Sequence, residues 1–230
     1  MEQNLVKVKV WDIPTRVFHW GMLCLLAGLW WTADAGEMEW HQILAYGLMV
    51  LIGVRLIWGI IGSETARFSH FVRSPKTVIN YLAQTKRDGI SASVGHNPVG
   101  GYMVVTLITL VCVQLVTGLF ATDEIFTEGP LYSLVSSDTA SWLTWLHKKN
   151  FDLILILAAV HVLAVGVHMI KGDTILGAMF SGYKKLPESK VAAINADELA
   201  FASVIKAVVI AAVIGALVVN YLMLPVIDML

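Results

Sequence analysis

The chain has 230 residues, of which 57% are hydrophobic and only 14% charged, against roughly 25% charged in an ordinary soluble domain. Its mean hydropathy is +0.72, more apolar side chain than a soluble interior of this size can hold, so the sequence reads as an integral membrane protein and argues against soluble enzyme classes. Net charge is −1, from 16 basic and 17 acidic residues, which leaves no basic excess to hold nucleic acid.

Eight Trp and eighteen Gly suit helices in lipid, where Gly and interfacial Trp are common. Cys24 and Cys112 both lie in apolar runs and read as buried thiols, not a disulfide framework. No CxxCH occurs, which excludes covalent c-type haem attachment.

A helix crossing hydrocarbon needs about 20 mostly apolar residues. Five stretches qualify, roughly 14–34, 40–61, 98–121, 142–170 and 203–226. The first is not a cleaved signal peptide: Asp12 and Arg16 precede it, it is long for such a segment, and no small-x-small site follows. Asp12 followed by Pro14 reads as a helix start with Pro in the first turn. Between spans two and three, Ser74 and Pro75 look like an N-cap and first turn, and Val78, Tyr81 and Leu82 share one face. A short amphipathic helix on the membrane surface is expected there. The 122–141 segment is polar and loosely patterned.

Charge placement gives the expected orientation. Lys7, Lys9 and Arg16 precede span one. Arg67, Arg73, Lys76, Lys86 and Arg87 lie between spans two and three, and Lys171, Lys184, Lys185, Lys190 and Lys206 between spans four and five. The other two connections carry only Lys148 and Lys149, beside Asp34, Glu37, Glu39, Asp123, Glu124, Glu128 and Asp138. The positive-inside rule then places the N-terminus in the cytoplasm and the C-terminus outside.

The histidines carry the functional argument, because ionisable groups inside a membrane are costly and usually functional. His19 lies a turn or two into span one and His41 opens span two; His147 and His161 both lie on span four. The last two are 14 residues apart, nearly four helical turns, so they project from one face about 21 Å apart along the axis. By depth, His147 is level with His41 and His161 with His19. A single histidine near a membrane interface is more often a packed residue than a ligand. Four that agree in depth and helical phase suit the two axial positions of two haem irons. Zinc is less apt, since four His split over two depths cannot build one tetrahedral site.

At these residues the sequence resembles the bacterial cytochrome b561 and nickel–iron hydrogenase cytochrome b family. The matching segments are Val10-Trp11-Asp12 through Arg16 to His19-Trp20, His41, Arg55-Leu56-Ile57-Trp58-Gly59 with Gly62, Ala66-Arg67-Phe68 with Phe71, Gly95-His96-Asn97-Pro98, Thr117-Gly118, His147 and His161, and Gly177-Ala178-Met179 with Gly182. They cover about residues 8–186. Ala45 and Gly47 occupy a region where many relatives have glycine.

The resemblance implies an all-α, four-helix di-haem membrane bundle over 1–186; outside that core, 187–230 reads by its apolar run as a linker and a fifth transmembrane helix. It implies two noncovalent haems b, one on His19 and His161 on the cytoplasmic side, the other on His41 and His147 on the external side. Electrons would pass between membrane quinone and a periplasmic partner such as a c-type cytochrome or a hydrogenase. The setting is a multi-pass protein of the bacterial inner membrane. The fifth helix is expected to be a packing helix or a homodimer contact.

Arg16 and Arg55 are candidates for haem propionates, which arginine pairs bidentately. His168, seven residues past His161, is a candidate for hydrogen bonding or proton exchange with quinone. His96 and Asn97 either cap span three or line a quinone or propionate pocket. His70 has no evident partner and reads as solvated. Lys148 and Lys149 would anchor an outer propionate or steer an acidic partner, and Trp142 and Trp145 mark the membrane belt or a docking surface.

Two rival readings stand beside electron transfer. One is a superoxide:quinone oxidoreductase that needs no partner protein, with Lys148 and Lys149 attracting the anion. The other is a haem-free transporter or assembly subunit whose histidines line a pore, for which broken helices with mid-span Gly or Pro would be the sign. Span four carries only Gly166, which counts against it.

Overall fold

The computed structural model describes residues 5–89, 93–125, 127–188, 191 and 199–227. Strand β1 (Leu5–Lys9) leads into α1 (Ile13–Ala35), α2 (Met38–Ile61), the short α3 (Phe68–Phe71) and α4 (Pro75–Asp88). Then follow α5 (Pro98–Gly118), α6 (Ser137–Ile170), α7 (Ile175–Ser181), strand β2 (Tyr183–Pro187), α8 (Val204–Val218), a π turn and α9 (Leu224–Ile227). The chain is mostly helical. Among the described residues, four helices are long and apolar enough to cross a membrane: Met38–Ile61, Pro98–Gly118, Ser137–Ile170 and Val204–Ile227. The first expected span does form a helix of 23 residues, α1. Arg16, His19 and Asp34 lower its hydropathy, as do tryptophans that a hydropathy scale counts as polar.

Helix ends follow local chemistry. The Asp12 carboxylate accepts from Thr15 N at 2.8 Å, the N-cap expected before Pro14. Ser74 caps α4 through Thr77 N, with Pro75 in the first turn. Ser136 accepts from Thr139 N at 3.3 Å, which starts α6 five residues before the apolar run does.

The chain forms two compact units, residues 1–20, 54–104 and 161–210, and residues 21–53, 105–160 and 211–230. In the first, β1 pairs antiparallel with β2, from Leu5 opposite Pro187 to Lys9 opposite Tyr183. This short ribbon joins the two ends of an otherwise helical unit. Its inner face carries Val8 and Leu186 around Val191. Val10 and Trp11 continue onto Ala178 of α7. Gly182 closes α7 in the left-handed region, at φ 85°, and its carbonyl accepts from both Val10 N and Trp11 N; a Cβ there would press on the Trp11 carbonyl.

The fifth span packs on α2 in both units. Ala207 buries against Trp58 and Ala66 in the first, and Val218 and Val226 bury against Tyr46 in the second. Across the spans, large apolar side chains such as Ile60, Ile156, Leu163 and Ile170 are exposed, as a lipid-facing surface requires.

Two expectations, on Cys24 and His70, need correction. Cys24 is exposed, on the outer surface of α1, and not buried. His70 is not solitary: its Nε2 stands 3.7 Å from Glu64. Lys184 is buried at 3% exposure, because alternate residues of β2 face inward. On α4, Val78, Tyr81 and Leu82 do share one face; Val78 and Tyr81 are half-buried and Leu82 is exposed. Lys190, and with it much of the 187–202 connection, lies outside the described residues.

Candidate functional site

Within the first unit, His19 of α1 and His161 of α6 face each other with ring centroids 6.4 Å apart and planes at 53°. Within the second, His41 of α2 and His147 of α6 do the same at 6.4 Å and 70°. Imidazoles in van der Waals contact or in a direct hydrogen bond would sit closer. A metal ion held at about 2 Å by one nitrogen of each ring requires centroids about 6 Å apart. Among the described residues, no cluster of three or more His, Cys, Asp or Glu is placed to hold a metal, so the chain offers two-histidine sites.

In the second unit the ring orientations are fixed. His41 Nδ1 lies 2.9 Å from the Leu29 carbonyl and 3.3 Å from Thr32 Oγ1. His147 Nδ1 lies 2.9 Å from the Gln114 carbonyl and 3.2 Å from Thr117 Oγ1. A carbonyl only accepts, so each Nδ1 carries the proton and each Nε2 keeps its lone pair. Gly118 makes room for the His147 ring: a Cβ there would come within 3.0 Å of His147 Cε1. Asn150, buried one turn along α6, donates to Leu110 O at 2.9 Å and Gln114 Oε1 at 2.7 Å, tying α6 to α5 beside the histidine.

The first unit is built differently. Its buried polar atoms include several without a partner: His19 Nδ1, Thr15 Oγ1, Arg16 Nε, Arg55 Nη1 and His96 Nδ1. Arg55 is 3% exposed, and its guanidinium lies over Phe68 at 4.9 Å and Phe18 at 5.7 Å. The Arg55-x-x-Trp58-Gly59 segment now has a physical reading. Trp58 Nε1 donates to Asp12 Oδ2 at 2.8 Å, and Gly59 leaves space that the Phe68 ring fills, which places that ring under Arg55. Arg16 Nη1 donates to the Phe180 carbonyl.

His96 lies between Trp11, at 4.7 Å, and Phe71, at 4.8 Å. Burial keeps its ring neutral, and nearby Arg55, His161, His19 and His70 act in the same direction, lowering its pKa to about 3. Asn97 does cap α5, its Oδ1 accepting from Gly100 N at 2.7 Å. That turns its Nδ2 toward His168 Nε2, 3.5 Å away. His168 Nδ1 in turn meets Asp173 Oδ2 at 3.0 Å, and Asp173 Oδ1 meets Lys184 Nζ at 2.6 Å.

All the candidate residues are thus located: the four histidines in two facing pairs, Asn97 with His168, and Arg16, Arg55 and His96 each with a buried nitrogen that has no partner. Thr32, Gln114, Thr117, Asp173 and Lys184 were not foreseen as partners. Threonine three residues after the accepting carbonyl is a pattern the sequence contains, but nothing local says which histidine would meet it. Lys149 pairs with Asp152 at 3.2 Å. Lys148 lines a groove of about 270 Å³ with Asp123 and Glu124. A neighbouring 580 Å³ groove carries Glu39, Glu124 and Glu128. The field around these lysines is therefore not a funnel for an anion.

Comparison with curated proteins and with solved structures returned no match. The sequence profile of the prokaryotic cytochrome b561 family, in contrast, matches residues 10–182, three quarters of the chain and every residue of both histidine pairs. The protein therefore belongs to the prokaryotic cytochrome b561 family, multi-pass membrane proteins that bind haem b and carry electrons.

Proposed function

We propose that this protein carries electrons across the bacterial inner membrane on two haems b, linking membrane quinone to a periplasmic redox partner such as a c-type cytochrome or a hydrogenase. The observation that carries the reading is the repeated geometry: two pairs of facing histidines, each 6.4 Å between ring centroids. The residues suit the cofactor in charge as well as in spacing. A haem brings two carboxylates, and the first unit holds buried Arg55 and Arg16 nitrogens with no partner. A haem held by each histidine pair would supply a one-electron iron couple.

Each residue then has a role. His19 and His161 ligate one haem, His41 and His147 the other. Arg55 and Arg16 hold propionates in the first unit, where the desolvated guanidinium gains most from a carboxylate. The positive-inside argument puts this unit's haem on the cytoplasmic side. His168, oriented by Asp173, presents Nε2 beside Asn97 as the group that exchanges a proton with quinone. The exposed Trp142 and Trp145 and the acidic groove face a periplasmic partner with basic surface charge.

The test is haem stoichiometry by pyridine haemochrome on purified protein, with a reduced-minus-oxidised spectrum. Two haems b per chain are expected. His161→Ala should leave one and stop quinol-linked reduction of the other. Retention of both haems in that variant would overturn the ligand assignment.

A further inference from the structure

We propose that the His41–His147 site has the lower reduction potential of the two, set by a matched pair of carbonyl–threonine forks that the His19–His161 site lacks. The inference rests on the di-haem reading above and adds to it the order of the two potentials.

The forks are alike in detail. Each outer ring directs Nδ1 at a helix carbonyl 2.9 Å away and at the hydroxyl of the threonine three residues later: Leu29 with Thr32 for His41, Gln114 with Thr117 for His147. Each threonine has already committed its own hydrogen to its helix. Thr32 Oγ1 donates to Gly28 O at 2.9 Å and Thr117 Oγ1 to Val113 O at 2.7 Å. What the oxygen offers the ring is a lone pair. Both threonines are buried, at 2% and 3% exposure, so water does not compete for the ring N–H.

The other pair has no such support. His19 Nδ1 is buried without a partner, and among the described residues the His161 ring makes no hydrogen bond. Thr15 stands four residues before His19, but its hydroxyl is itself unpartnered. A hydroxyl is available near this ligand and is not used.

An imidazole that donates its N–H to a good acceptor is more basic at its other nitrogen. It stabilises the oxidised iron more than the reduced, and the potential falls. Both ligands have this at one site and neither at the other. At equilibrium the electron therefore rests on the His19–His161 haem, in the unit that holds Asn97 and His168.

The experiment is a potentiometric titration of the haem-loaded full chain in lipid nanodiscs, with each wave assigned by comparison with His161→Ala. Thr32→Val and Thr117→Val should each raise the lower wave and leave the upper one. Together they should shift the reduction equilibrium by up to about tenfold, or 59 mV for a one-electron couple. Thr117→Ser keeps the acceptor and should leave both waves in place. So should Thr15→Val, which alters a threonine near His19 that supports no ring. Movement of the upper wave, or no movement in either valine variant, would overturn the assignment while leaving the di-haem reading intact. Fewer than two haems per wild-type chain would instead overturn the di-haem reading, and this inference with it.

Discussion

Arg55 offers the sharpest test of how the first unit receives its cofactor. Its side chain is 3% exposed, and Nη1 has no hydrogen-bond partner. The carboxylate acting on it is Asp12, but the Asp12 oxygens already serve Thr15 N and Trp58 Nε1, each at 2.8 Å. A desolvated, unpaired charge is several kcal/mol unfavourable. The face of Phe68 at 4.9 Å recovers about 1–2 kcal/mol of that. In the apoprotein, then, Arg55→Met should be neutral or mildly stabilising, since it replaces an unpaired ion with a side chain of similar length. In the haem-bound protein the same substitution removes a buried charge-assisted pair with a propionate. That should lower haem affinity by about 2–4 kcal/mol, or about 30- to 700-fold. The assay pairs haem transfer to an apo-globin acceptor with thermal unfolding of the apo and holo forms, since a bound ligand stabilises in proportion to its affinity. Equal destabilisation of both forms would mean that Arg55 serves the fold alone. Unchanged haem retention would mean that no carboxylate sits on it.

Three further outcomes follow from named contacts. Gly118→Val should displace the His147 ring, whose Cε1 would lie 3.0 Å from the first added carbon; loss of one haem, read by pyridine haemochrome, checks this, and full retention would refute it. Asp173→Asn should leave Lys184 buried beside a neutral partner and lower stability by about 3–5 kcal/mol, whereas Asp173→Asn combined with Lys184→Met should recover most of the loss in chemical denaturation. Burial, and then Arg73 and Arg67, hold the His70 pKa below its ordinary value, opposed only by Glu64. The unfolded chain therefore takes up this proton first as pH falls below about 6.5. Stability should decline through that window, and His70→Gln should flatten the decline in a pH series of melting curves.

The sequence is most legible where the physics is local. Apolar runs mark the spans because hydrocarbon selects composition directly. Asp12, Ser74–Pro75 and Asn97–Pro98 mark helix starts because a cap needs only its own next three residues. The histidine pairing is legible for a related reason: helical phase and membrane depth are both one-dimensional coordinates. The ribbon is different. Leu5-Val6-Lys7-Val8-Lys9 alternates as a strand should, but its partner at Tyr183–Pro187 lies far along the chain, and a five-residue strand has no stability until it is paired. The burial of Lys184 is hidden by the same distance. Composition counts it as an inside-positive surface charge, and only the register of β2 turns it inward toward Asp173.

The contrast between the two sites has the same origin. A ligand supported by a helix carbonyl and the threonine one turn later needs two elements to cross at a fixed height. Gly28 and Gly118, which keep side-chain bulk away from that crossing, are as much part of the support as the threonines. Where Leu44 packs at Gly28 and the His147 ring packs at Gly118, the backbones come close enough for a ring N–H to reach a carbonyl inside a membrane helix. The first unit instead leaves buried nitrogens of Arg16, Arg55 and His96 without a partner, and on the proposed reading the two arginines take the haem carboxylates. One site is thus completed by its own backbone and the other by what it binds. That difference predicts that apoprotein should keep His41 and His147 in place while the His19–His161 pair orders on haem addition. Ring resonances of the four histidines, followed by NMR through a haem titration, would separate the two behaviours.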